Sequence, residues 1–186
     1  MEALFASIAL VALAEIGDKT QLLALALAAK YRRPVPIIAG IALATVLNHA
    51  LAGALGAWLT GLMGPRMLQI VLAVSFLAMA GWILIPDKLE LTERKTPFGV
   101  LVTTTVAFFL VEMGDKTQIA TVALAAKYGA FYVVVAGTTV GMLLANAPVV
   151  LCGERILRRV PIAVVQRFAA GLFALLGLVA VAQVLT

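Results

Sequence analysis

The heptapeptide Glu15-Ile16-Gly17-Asp18-Lys19-Thr20-Gln21 returns 97 residues later as Glu112-Met113-Gly114-Asp115-Lys116-Thr117-Gln118. Each copy stands near the middle of a long apolar stretch. An ionised side chain in hydrocarbon is costly unless it is paired, hydrated or ligated. Four carboxylates at such depth, two per copy, are hard to explain as packing. The likeness runs past the heptapeptide: residues 15–31 and 112–128 agree at 12 of 17 positions and share the ending Ala-Ala-Lys-Tyr. Further along, Gly40 corresponds to Gly137 and Pro65 approximately to Pro161.

A hydrophobic fraction of 63% and a mean hydropathy of +1.10 exclude a soluble domain and point to a polytopic membrane protein. A spanning helix needs about 20 mainly apolar residues. Six segments qualify, roughly 3–29, 35–62, 66–85, 98–126, 130–153 and 162–185. Prolines 34, 65, 97 and 161 fall at or beside helix starts, where a missing N–H costs little. The first apolar run has no Lys/Arg-rich start and carries Glu15 and Asp18, so it reads as a retained transmembrane helix rather than a cleaved leader. With Cys152 the lone cysteine, an internal disulfide is excluded; the residue reads as a small lipid- or helix-facing one. The duplication divides the six segments into two sets of three. Three is odd, so the second set must enter the membrane from the opposite side. The expected fold is an all-α membrane protein of six transmembrane helices in two inverted three-helix repeats, residues 1–86 and 98–186, joined by a cytoplasmic linker at 87–97. Transporters often place substrate sites at such repeat interfaces.

Loop charge supplies the orientation. The net charge of +5 would suggest nucleic acid in a soluble chain, but here the cations sit at the ends of apolar segments. Breaks after the first, third and fifth segments hold Lys30, Arg32, Arg33, Lys88, Arg94, Lys95, Arg155, Arg158 and Arg159; the other two hold only Arg66 and Lys127. The positive-inside rule makes the first group cytoplasmic and puts both termini outside. Trp58, Trp82, Tyr31, Tyr128 and Tyr132 lie near predicted helix ends, as in an aromatic belt.

Within each motif the Glu and Asp are three residues apart, which on a continuous helix puts both on one face. A pseudo-two-fold axis relating the two segments would gather Glu15, Asp18, Glu112 and Asp115 around one volume. Thr20, Gln21, Thr117 and Gln118 could add neutral oxygens, although a regular helix would turn the threonines away. Gly17 and Gly114 permit close helix approach or local unwinding. Hard oxygen ligands favour Ca²⁺, Mn²⁺ or Mg²⁺ over Zn²⁺ or Cu⁺. Lys19 and Lys116, each four residues after its Glu, are expected to form ion pairs within their own motifs, or else to snorkel. With four acids and two lysines charged the site carries −2, which one divalent cation or two protons would neutralise. An exchange of metal against protons follows as the simplest cycle.

The two Glu-x-Gly-Asp-Lys-Thr motifs, with Ile16 and Met113 at the variable apolar position, resemble the GDT family of cation transporters. That family includes bacterial manganese exporters and Golgi manganese/calcium transporters, and the resemblance covers essentially the whole chain. It implies that Glu15, Asp18, Glu112 and Asp115 bind metal, with Thr20, Gln21, Thr117 and Gln118 in support. It also implies export of Mn²⁺, or of Ca²⁺, in exchange for protons. The substrate is then an ion, with no resident cofactor. The compact chain looks like a multi-pass member from the bacterial plasma (inner) membrane.

Other readings compete. The motifs could be helix–helix glue, though duplicated acids at midplane are an expensive form of it. Asn48 and Asn146 read first as interhelical hydrogen-bonders and second as ligands; His49 reads as a buried structural residue ahead of a proton relay. An exporter of small organic cations is disfavoured by four acids without an arginine in the core. A membrane hydrolase is disfavoured because no Ser/His constellation accompanies the acids. The sequence does not decide between a monomer and a homo-oligomer.

Overall fold

The computed structural model describes residues 1–85, 99–153 and 161–185. The predicted linker 87–97 and the basic break at 155–159 lie outside these. Among the described residues every regular element is an α-helix: α1 (Glu2–Glu15), α2 (Lys19–Tyr31), α3 (Pro34–Leu62), α4 (Pro65–Trp82), α5 (Val100–Glu112), α6 (Lys116–Tyr128), α7 (Phe131–Cys152) and α8 (Ile162–Leu185). Helices α3, α4, α7 and α8 are each long and apolar enough to cross a membrane. Pro34 and Pro65 open α3 and α4 at positions where no helical N–H is required.

The first and fourth predicted segments differ from expectation. Each is two half-length helices rather than one, broken inside the motif. Helices of 13 or 14 residues extend only about 20 Å, short of the roughly 30 Å hydrocarbon thickness. The break has a local cause. Ile16 and Met113 are extended, and the next residues, Gly17 and Gly114, take φ +82° and +76°. That region is open to glycine and costs other residues roughly 1–2 kcal/mol. The chain then restarts with Asp18 and Asp115 as the N-caps of α2 and α6.

Helices α1 and α5 are held by close backbone approach to α7 and α3. A Cβ on Gly137 would stand 2.8 Å from the Cβ of Ser7 and 3.0 Å from the Leu4 carbonyl oxygen. A Cβ on Gly40 would stand 2.7 Å from the Cβ of Thr104 and 2.9 Å from the Leu101 carbonyl oxygen. These two contacts involve residues separated by the same 97-residue offset as the motifs. Helix α3 also packs on α6 and α7, and α4 packs along α8. The last two are peripheral: only 28% of the most apolar stretch of each is buried, against 44% and 50% for α3 and α7. Leu47, Leu51, Trp58, Val74, Tyr132 and Leu175 are among the large side chains exposed on the outside. Cys152 is exposed as well.

Candidate functional site

Breaking the helices between Glu and Asp determines what each motif side chain reaches. Glu15 and Glu112 end α1 and α5, while Asp18 and Asp115 begin α2 and α6. The expectation that each pair shares one continuous helix face is therefore replaced by carboxylates on either side of a turn. The turn is pinned by the motif glutamines. Gly17 donates its N–H to Gln21 Oε1 at 2.8 Å, and Gly114 donates to Gln118 Oε1 at 2.6 Å. Gln21 also donates Nε2–H to the carbonyl of Ala145 at 2.9 Å, tying the first break to α7. The glutamines thus satisfy backbone groups that the interrupted helices expose; they were expected only as auxiliary oxygens.

The lysines also differ from expectation. The described ion pairs run to an Asp rather than to the Glu of the same motif. Lys19 Nζ lies 2.6 Å from Asp115 Oδ1, and Lys116 is paired with Asp18. Both ion pairs cross from one motif to the other. Unwinding explains this, because once the helix stops, the i,i+4 relation between Glu and Lys is lost. Unwinding also reverses the expected fate of the threonines: Thr20 donates to Glu15 Oε2, and Thr117 donates to Glu112 Oε2 at 3.2 Å.

Glu15, Glu112 and Asp115 are all buried and present carboxylate oxygens within 4.8 Å of one another. Asp18, also buried, is not part of this trio and instead lies against Lys116. Each member of the trio keeps one oxygen without a hydrogen-bond partner among the described residues: Glu15 Oε1, Glu112 Oε1 and Asp115 Oδ2. A buried acceptor left unsatisfied costs roughly 1–3 kcal/mol, more for a charged group. Three converging carboxylates, each with an oxygen to spare, form a donor set for a hard cation. Three oxygens mutually within 4.8 Å leave a point no farther than about 2.8 Å from any of them, and a small contraction brings that into the 2.3–2.6 Å range of Ca²⁺–oxygen bonds.

Asn48 donates to the Phe109 carbonyl at 3.0 Å, one helical turn before Glu112 on α5. Asn146 donates to the Met142 carbonyl at 3.1 Å on its own helix. Both asparagines leave Oδ1 buried and unpartnered. His49 is fully buried with neither ring nitrogen hydrogen-bonded. One neighbour of the site was missed in the sequence. On α8, Gln166 reaches the first break, its Nε2 being 3.3 Å from where a Cβ on Gly17 would stand. The 97-residue offset that pairs the motifs also pairs Gln166 with Gln69, a signal that could have singled it out.

Residues 3–91 and 100–186 match the family described as "Divalent cation/proton antiporter GDT1". A protein of Vibrio cholerae serotype O1 named "Putative manganese exporter" is 55% identical over 179 residues, covering 96% of this chain and 90% of the relative. No solved structure matches the chain significantly. With several helices of spanning length and composition, the chain is a multi-pass membrane transporter. It belongs to the GDT1 family of divalent cation/proton antiporters.

Proposed function

We propose that this protein exports Mn²⁺ across the bacterial inner membrane in exchange for protons. The ion is the substrate, and Glu15, Glu112 and Asp115 are its carboxylate ligands. The observation that carries this reading is the set of three buried, unpartnered oxygens, one from each acid. Asp18 joins the site when Lys116 releases it, and Thr20 and Thr117 orient the glutamates. Asn48 and Asn146 offer further oxygens. The ends of α1 and α5 add the negative pole of two helix dipoles beside the ion, as in other transporters built on discontinuous helices.

In this reading α1 with α2, and α5 with α6, each cross the bilayer as a broken pair. With α3, α4, α7 and α8 they make six crossings in two inverted halves, both termini outside. Four acids and two cross-paired lysines leave a formal charge of −2 at the site. One Mn²⁺ or two protons restores neutrality, so exchange of one for the other avoids carrying a bare charge through hydrocarbon. Manganese is preferred over calcium because the Vibrio cholerae relative carries that name.

The test is flux in proteoliposomes containing the purified protein, comparing Mn²⁺, Ca²⁺ and Mg²⁺ with and without an imposed pH gradient. Uphill Mn²⁺ movement driven by protons is expected, with metal-dependent proton release in return. Flux indifferent to the pH gradient would overturn proton coupling, and faster Ca²⁺ than Mn²⁺ would overturn the choice of ion.

A further inference from the structure

The two halves are alike in sequence but unlike in contacts, both in how α3 and α7 pack on α6 and α2 and in where α4 and α8 dock. These helices pack on each other through Phe76 and Phe173, whose ring centroids are 6.3 Å apart, and through Gly177 against Leu77. As a pair they dock on one side only. Helix α8 packs on α1 and α4 packs on α6, with no comparable packing of α8 on α2 or of α4 on α5. The apolar core containing Phe76 and Phe173 includes Leu10 and Ala14 of α1 and Ala120, Ala123 and Leu124 of α6. A second core, built from α1, α2, α3, α5 and α7, contains no residue of α4 or α8.

Individual residues repeat the asymmetry. Gly17 is covered by Ile162 and Gln166 of α8, whereas none of the described residues comes within 4 Å of a Cβ placed on Gly114. Lys127 and Lys30 each lie over the tyrosine that follows them, at 5.3 and 5.5 Å, but among the described contacts only Lys127 also stands over a phenylalanine, 5.8 Å from the Phe76 ring. Tyr128 at the end of α6 bonds Glu2 at the start of α1 at 3.2 Å, closing the same side. At the site, Lys116 is sealed while the Lys19 side chain is 23% exposed.

We infer that the α4–α8 pair is the gate, and that Gln166/Gln69 and the Lys127–Phe76/Lys30–Phe173 contacts are its two alternative seats. In the state described, the gate rests on α1 and α6 and leaves α2 and α5 free of it, while the acids themselves stay buried. In the opposite state the pair rests on α2 and α5, Gln69 covers Gly114, and Lys30 stands over Phe173. The 97-residue offset pairs Gly17 with Gly114, Gln166 with Gln69, Lys127 with Lys30 and Phe76 with Phe173, though Ile162 and Glu2 correspond to Pro65 and Gly99, so the two states share these contacts and lie close in energy, as a switch requires. The inference rests on the inverted-repeat reading above; with both termini outside, the described state faces the cytoplasm.

Two double-cysteine proteins test it, both carrying Cys152→Ser. The first has Phe76→Cys with Lys127→Cys, the second Lys30→Cys with Phe173→Cys, each treated in membranes with a short bifunctional thiosulfonate. Both pairs should cross-link, each cross-link should lower Mn²⁺ flux at least tenfold, and thiol reduction should restore it. Failure of the second pair to cross-link in transport-active protein would overturn the gate, as would undiminished flux with the first pair linked. A single Met113→Cys protein, also without Cys152, gives an independent measure: a membrane-impermeant thiol reagent should reach it from the cytoplasmic side alone. Labelling only from outside, or equally from both sides, would overturn the assignment. Absence of flux from the Cys152→Ser parent would instead refute the transport reading and leave the cross-linking result to stand by itself.

Discussion

Glu112→Gln is the most discriminating substitution, because it should stabilise the empty protein while abolishing its response to metal. Glu112 is buried, makes no ion pair among the described contacts, and bonds only Thr117 through Oε2. Its other oxygen has no hydrogen-bond partner among the described residues, and its carboxylate lies with one oxygen within 4.8 Å of oxygens on Glu15 and Asp115. At that separation, with an effective dielectric of about 20, two ionised carboxylates repel by roughly 3.5 kcal/mol. Proton uptake and local hydration absorb part of this, so relief from two neighbours should raise the stability of the metal-free protein by about 1–3 kcal/mol. The effect on metal is opposite. Altering a residue that merely orients a ligand typically weakens metal binding 10–100-fold, and loss of a ligand should exceed that range. At a Mn²⁺ concentration of about 100 times the wild-type Kd, the wild-type protein gains roughly 2.7 kcal/mol; a 100-fold weaker variant gains about 0.4. Thermal unfolding of purified protein with and without MnCl₂ measures both quantities, and proteoliposome flux gives the functional outcome. A Glu112→Gln protein that is less stable than wild type without metal, yet keeps the full Mn²⁺-dependent shift, would refute the shared carboxylate site.

Lys116→Met should be more damaging than Lys19→Met, because Lys116 is sealed against Asp18 whereas the Lys19 side chain is partly exposed. Stranding a buried charge typically costs 3–5 kcal/mol. Equal losses of folded protein on size-exclusion chromatography would contradict this. Gly17→Ala and Gly114→Ala both force a non-glycine residue to positive φ, but only Gly17 also meets Ile162. The first should therefore be worse, and Ile162→Ala should partly rescue it without improving Gly114→Ala; thermal unfolding of the four proteins decides. Gln21→Ala removes two hydrogen bonds and Gln118→Ala removes one of those in the same register. At roughly 1–3 kcal/mol per buried group left unpaired, Gln21→Ala should show the larger drop in unfolding temperature, and the reverse order would sink the account of the pinned turns.

How much of this was legible in the chain depends on range. The long apolar runs announced helices of spanning length, and Pro34 and Pro65 marked starts the structure uses. The repeated motif identified the acids and the neutral residues beside them. Its two glycines signalled that unwinding was open to the chain. Whether it occurred was invisible, because a glycine permits positive φ without requiring it. The lysines show the consequence. On an unbroken helix Lys19 faces Glu15, so local spacing assigned it the wrong partner, and only the turn at Gly17 delivers it to Asp115. Gln166 escaped notice because nothing in its own neighbourhood of sequence distinguishes it.

The sequence by itself determined the helical, membrane-suited character of the protein and the identity of its acids. Hydrophobic burial and backbone satisfaction in lipid depend on composition over about 20 residues at a time. Tertiary structure decided which acid meets which cation, since that requires two segments 97 residues apart to cross at their breaks. It also decided which side of the site α4 and α8 close. Two nearly equivalent seats are written into one repeated sequence, and packing in three dimensions selects between them.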